Sequence, residues 1–93
     1  MKKMSKCDVC GRETKTYVAA SAFGAMSFAY CKECLEKGAE PYSAMVSYIA
    51  CAGHFPEDIN PQYQAYCRHV LAALDISEEQ FIKDVKQAIQ DDM

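Results

Sequence analysis

The second half of the chain carries the clearest periodicity. Tyr63, Tyr66, Cys67, Val70, Leu71 and Leu74 recur at steps of three and four, the stripe of one helix face. Asn60-Pro61 ahead of them supplies an N-cap and a proline for the first turn. Phe81, Ile82, Val85, Ala88 and Ile89 form a second stripe, with a Glu79–Lys83 pair on the opposite face. Ser77-Glu78-Glu79-Gln80 predicts a capping box for this last helix, and Ile76 and Phe81 are placed as its hydrophobic staple. Between Pro41 and Gly53 the pattern changes. Only Ser43 and Ser47 are polar there, so the segment predicts a helix apolar all round, the central post of a small domain. Gly53-His54-Phe55-Pro56-Glu57-Asp58 then reads as a loop.

The first half alternates less cleanly. From Thr14 to Cys31 Lys15 is the only charged residue, and Val, Tyr, Thr and Phe at the two ends predict short strands over Thr14–Ala20 and Ala25–Cys31. Ser21-Ala22-Phe23-Gly24 would turn the chain between them, although the many alanines are poor strand formers. After the hairpin, Cys31 to Gly38 predicts a short helical turn stopped by glycine.

Candidate chemistry enters with four cysteines, Cys7, Cys10, Cys31 and Cys34, in two C-x2-C pairs separated by twenty residues. Each pair can bend onto one cation, and two pairs complete a closed tetrahedral thiolate shell, the arrangement of structural zinc. The hairpin brings the second pair back to the first. Gly11, directly after Cys10, permits the positive φ of a tight turn, and Lys6 and Arg12 stand where they can offset thiolate charge or simply face water. Iron suits the same four sulfurs. A redox role fits less well, because thioredoxin-like chemistry needs its C-x2-C at a helix start within a βαβ unit. Catalytic zinc needs an open position that four thiolates remove.

The order of knuckle, hairpin and helix over Lys6 to Gly38 resembles the treble-clef class of zinc finger. A zinc ribbon, with the second pair in another knuckle, is the rival. The run from Cys31 to Tyr42 is also similar to short uncharacterised proteins of bacteria and their phages. The treble-clef likeness implies an architecture shared by many functions, and neither likeness implies an activity. The expected fold is therefore α+β, one domain over residues 1–93, with a zinc-bound hairpin at 6–38 packed on a three-helix body at 41–92.

Composition adds limits. A chain of 93 residues buries only a little over roughly 60% of its unfolded surface. Structural zinc supplies the missing stability, about 10–16 kcal/mol in small finger peptides. Hydrophobic residues at 51% and charged residues at 25% exclude global disorder. Six cysteines could suit a secreted disulfide scaffold, but Met1-Lys2-Lys3-Met4-Ser5-Lys6 runs into the first pair without an apolar leader. The uncharged stretch from Tyr17 to Tyr30 is too short and too broken to span a bilayer. A reducing cytoplasm is the expected compartment.

The formal net charge is −3, and four thiolates around one divalent cation take it to about −5. The charge is uneven: the first fifteen residues hold five cations against two anions. No phosphate loop, nucleophile elbow or HExxH is present, so no enzyme activity is expected. His54 and His69 lack a neighbouring nucleophile or carboxylate and read as structural or surface histidines. Cys51 and Cys67 read as small buried hydrophobes.

Two roles remain. Phe23, Met26 and Phe28 on the uncharged hairpin can form an apolar patch for a protein partner or a second copy of the chain, an adaptor or inhibitor. Alternatively Lys2, Lys3, Lys6, Arg12 and Lys15 can hold nucleic-acid phosphates, with Tyr17 or Phe23 for stacking. The acidic remainder weighs against the second role.

Overall fold

The computed structural model describes residues 4–24 and 26–91. Its architecture is α+β: three antiparallel strands toward the amino terminus, followed by helices. The strands are β1 (Met4–Lys6), β2 (Glu13–Ala20) and β3 (Ser27–Cys31), with β2 in the middle. β1 has no signal in the sequence, since three residues are too few for a period to show. It pairs Ser5 with Thr14 and Lys6 with Glu13, and the Ser5 and Thr16 hydroxyls lie 2.6 Å apart.

The hairpin is wider at its tip than the sequence suggests. β3 begins at Ser27 rather than Ala25, a residue outside the described set, and Ser21 N–H closes the loop by donating to the Met26 carbonyl at 2.9 Å. The register places Tyr17 opposite Tyr30 and Ala19 opposite Phe28. On the other side of β3, Asp8 acts as a strand partner. Its N–H donates to the Ala29 carbonyl and its carboxylate accepts the Ala29 N–H, both at 2.8 Å.

Four helices follow: α1 (Lys32–Lys37), α2 (Tyr42–Ala52), α3 (Pro61–Leu74) and α4 (Glu78–Asp91). α1 ends as the sequence predicts, with Gly38 at φ 71°. Ala39 N–H donates to the Cys34 carbonyl and Gly38 N–H to that of Leu35, which satisfies two of the last carbonyls. A side chain at Gly38 would also press on His69, whose ring nitrogen would lie 3.1 Å from its Cβ. His69 Nε2 donates to the Lys37 carbonyl at 2.9 Å, so this histidine ties the end of α1 to α3.

Asn60 caps α3 through its side-chain oxygen, which accepts from Gln62 N–H at 2.8 Å and Tyr63 N–H at 3.2 Å. Ser77 caps α4 by accepting from Gln80 N–H at 3.1 Å. The return arm of the predicted capping box is not made, because Gln80 turns its amide to Asp84 instead, one helical turn onward. The ion pairs among the described residues are Arg12–Glu33 and Arg68–Glu78, so the Glu79–Lys83 pair does not form.

The main core joins α2, α3 and α4. Met45, Ile49, Cys67, Val70, Leu71, Phe81 and Val85 are buried in it, as the helical stripes require. Three residues outside the helices, Phe23, Phe55 and Ile59, complete it. Phe55, from the loop, meets Phe81 edge-on at 5.0 Å between ring centroids. Phe23, from the hairpin tip, inserts between Tyr48 (5.8 Å) and Tyr66 (5.3 Å). A second cluster forms around Cys7, Cys31, Cys34 and Ala39, with Ala73 and Leu74 of α3 packed against it.

Glu40 joins the two halves. Its side chain is buried and accepts from Ser21 Oγ (2.9 Å), the Tyr30 hydroxyl (2.7 Å) and the Tyr66 hydroxyl (3.3 Å). One carboxylate thus holds the hairpin tip, β3 and α3 together. Among the described residues no helix is long and apolar enough to cross a membrane.

Candidate metal centre

The first pair of cysteines sits in a tight turn between β1 and β2. Cys7 N–H donates to the Arg12 carbonyl at 3.0 Å and Gly11 N–H to the Cys7 carbonyl at 2.9 Å. Gly11 takes φ 77°, the left-handed conformation that glycine adopts without strain. The second pair sits where β3 becomes α1: Cys31 occupies the N-cap in an extended conformation and Cys34 lies in the first turn. β2 and β3 carry the chain out and back, so both pairs meet at the same end of the sheet.

The four Sγ atoms lie within 4.8 Å of one another. Four ligands about 2.3 Å from a central ion at tetrahedral angles stand about 3.8 Å apart. Cys10 Sγ and Cys31 Sγ are separated by 3.9 Å. The donor set, its spacing and its closed shape therefore fit a soft, four-coordinate cation such as zinc. Cys7, Cys31 and Cys34 are buried, and Cys10 is exposed. Neither histidine belongs to the cluster.

The electrostatics point the same way. Cys7 Sγ accepts from Val9 N–H at 3.4 Å and Cys31 N–H at 3.3 Å. Burial pushes the Cys7 thiol up, yet N–H donation from Cys10, Cys31 and Val9 outweighs burial and brings it to about 6. Cys31 is also lowered, first by the Cys34 N–H, against its burial. Cys34 is pushed up, first by burial and then by the neighbouring sulfurs. Once one or two of these thiols ionise, the next can do so only against their charge. A bound dication removes that conflict. Arg12 helps from outside: its guanidinium lies 3.4 Å from the Glu33 carboxylate, and that carboxylate first and Cys31 second hold its proton more firmly.

The cysteines outside the cluster differ from each other. Cys67 is fully buried, and burial pushes its thiol up to about 11, against the pull of Arg68. Cys51 is exposed, contrary to the sequence reading. It lies eight residues after Ser43 and four after Ser47, both exposed, on the face of α2 turned away from the core. The C-x2-C formed by Cys31 and Cys34 does open a helix, but that helix follows an antiparallel hairpin rather than a βαβ unit.

The proposed contact residues separate too. Phe23 is 2% exposed, which corrects its place on an open surface: the hairpin tip folds back and the ring fills the aromatic gap between α2 and α3. Met26 is 52% exposed and Phe28 half-buried. Both line an open groove of about 640 Å³ between the hairpin and α2, together with Ala44, Tyr48, Cys51 and Asp8. Of the basic residues, Lys6, Arg12 and Lys15 are exposed. Arg12 is engaged by Glu33, and the Lys15 ammonium rests 5.5 Å from the centre of the Tyr17 ring. Lys2 and Lys3 lie outside the described residues. Glu40 was invisible as a structural element in the sequence. A lone acid between a glycine stop and the apolar helix is the one signal that marks it.

Against protein-family models, characterised proteins and solved structures, the chain gives no match.

Proposed function

We propose that the chain is a small zinc-binding protein whose site is structural and of treble-clef type, and that it works through protein–protein contact as an adaptor or inhibitor. The second cysteine pair on an N-cap and a helical first turn, rather than in another knuckle, supports treble clef over zinc ribbon. The observation that carries the interaction reading is the groove lined by Met26, Phe28, Ala44 and Tyr48. One wall is the hairpin that the cysteine cluster fixes, and the other is α2, a helix without a charged residue. Apolar side chains of a partner suit such walls, and a groove with a rigid metal-tethered side loses little entropy on binding. Two C-x2-C pairs gathered around one point suit a reducing compartment, where paired cysteines bind metal instead of oxidising.

The test is capture of partners from a bacterial-type lysate, chosen for the similarity of segment 31–42, with and without nuclease. Met26→Asp and Phe28→Asp are run beside the native chain. A stoichiometric protein that survives nuclease and is lost with Met26→Asp, at unchanged metal content, is the expected result. Loss of every partner after nuclease would move the assignment to nucleic acid, whose binding must weaken steeply as salt rises.

A further inference from the structure

We infer that Cys10 is an oxidation site at which a hydroperoxide opens the metal centre by closing a Cys10–Cys31 disulfide. The inference rests on the metal-binding reading above and concerns the chain's own sulfurs. Exposure within the cluster is one-sided. Cys7 and Cys31 are 2% and 1% exposed and Cys34 is 8%, whereas Cys10 is open to solvent. It borders a recess of about 340 Å³ shared with Val9, Cys34, Tyr42 and Lys37, large enough for a small oxidant. The sulfurs also differ in hydrogen bonding: Cys7 Sγ accepts from Val9 N–H and Cys31 N–H, while among the described residues no backbone N–H donates to Cys10 Sγ. The sulfur open to solvent is thus also one that no backbone donor covers.

A second sulfur stands ready. Cys31 Sγ lies 3.9 Å from Cys10 Sγ and has to close to about 2.05 Å to bond. In the first step the Cys10 thiolate attacks one peroxide oxygen, the O–O bond breaks, and hydroxide or alkoxide leaves a sulfenic acid on Cys10. In the second, the Cys31 thiolate attacks that sulfur, the S–O bond breaks, and hydroxide departs. Two thiolates lose two electrons in total, and the peroxide gains them. Cys7 and Cys34 alone cannot complete a four-coordinate shell, so the ion is released. Cys51, the other exposed thiol, sits on α2 outside the cluster and serves as the internal comparison.

The experiment treats the full chain, its metal content measured first, with substoichiometric hydrogen peroxide. A chromogenic chelator follows release, and peptide mapping after alkylation follows the sulfurs. One ion released per disulfide, mapped to Cys10–Cys31, is expected, with Cys10 consumed at least about tenfold faster than Cys51. A thiol reductant with added zinc should restore the starting state. Cys51→Ser should release metal at the native rate. Oxidation of Cys51 as fast as Cys10 with the ion retained, or a disulfide that omits Cys10, overturns the inference. A preparation without metal would instead sink the metal-binding reading. The ranking of Cys10 over Cys51 is still read on that preparation by alkylation rates, and equal rates there overturn the inference as well.

Discussion

Glu40 brings a carboxylate into the interior with three hydroxyls for partners. Leucine at this position removes the charge but leaves one buried and two half-buried donors without an acceptor, the more expensive half of a hydrogen bond to lose. Glu40→Leu should therefore lower stability by about 3 kcal/mol in urea unfolding, and Glu40→Gln by less, since its amide oxygen still accepts. An unchanged midpoint in the leucine variant would show that the network carries no stability. The phenols around the core give a second readout. Tyr30 and Tyr66 keep their protons above the ordinary range, by burial first and by Glu40 next, and Tyr42 does so by burial and then by its bond to Asp84. Folded values above the unfolded ones mean that the contribution is complete below about pH 10 and fades as pH climbs through the folded values. Stability should fall on the alkaline side, with a late-ionising set in the tyrosinate absorbance. All six tyrosines titrating together near pH 10 with the helices intact would contradict this.

Among elements, the hairpin is the one whose tip and body do different things. Phe23 enters the helical core from the loop, so Phe23→Ala empties a buried aromatic site and should cost about 3–5 kcal/mol. Met26, three residues on and half exposed, should tolerate alanine to within about 0.5 kcal/mol. Thermal or urea unfolding of the two variants checks the order, and equal losses would contradict the insertion of the tip. This division also marks how far the sequence could be read. The helices were legible because Asn60, Ser77 and Gly38 announce their ends and the apolar stripes announce their faces. The cysteine cluster was legible because ligand spacing is a local property of the chain. Phe23 and Glu40 were not, since burial of a loop side chain depends on where the loop lands. Cys51 misled for a related reason: an apolar helix beside a small core cannot be covered on every side, and composition does not say which side stays open.

At the scale of the molecule, two cores share the chain. The helical core is built from apolar side chains, and the cysteine cluster brings together four sulfurs that fit one cation. They meet at Leu74, which packs against both, and Glu40 ties the strand leading to the cluster to α3. Removal of metal by a strong chelator should therefore collapse the dispersion of backbone amide signals in β1–β3 and α1 while α3 and α4 keep most of their helical signal. Cys31→Ser should reproduce that state. Retention of the native hairpin without metal would refute the dependence. The pairing of Asp8 with Ala29 gives this loss a further consequence. That carboxylate and amide shield the outer edge of β3 only while the knuckle is held in place. A demetallated chain frees the β3 segment, which has no charge to repel its copies, to pair with other chains, the setting for strand-to-strand polymerisation. A bound cation would thereby guard solubility, and the metal-free protein is expected to gel or precipitate at concentrations the loaded protein tolerates.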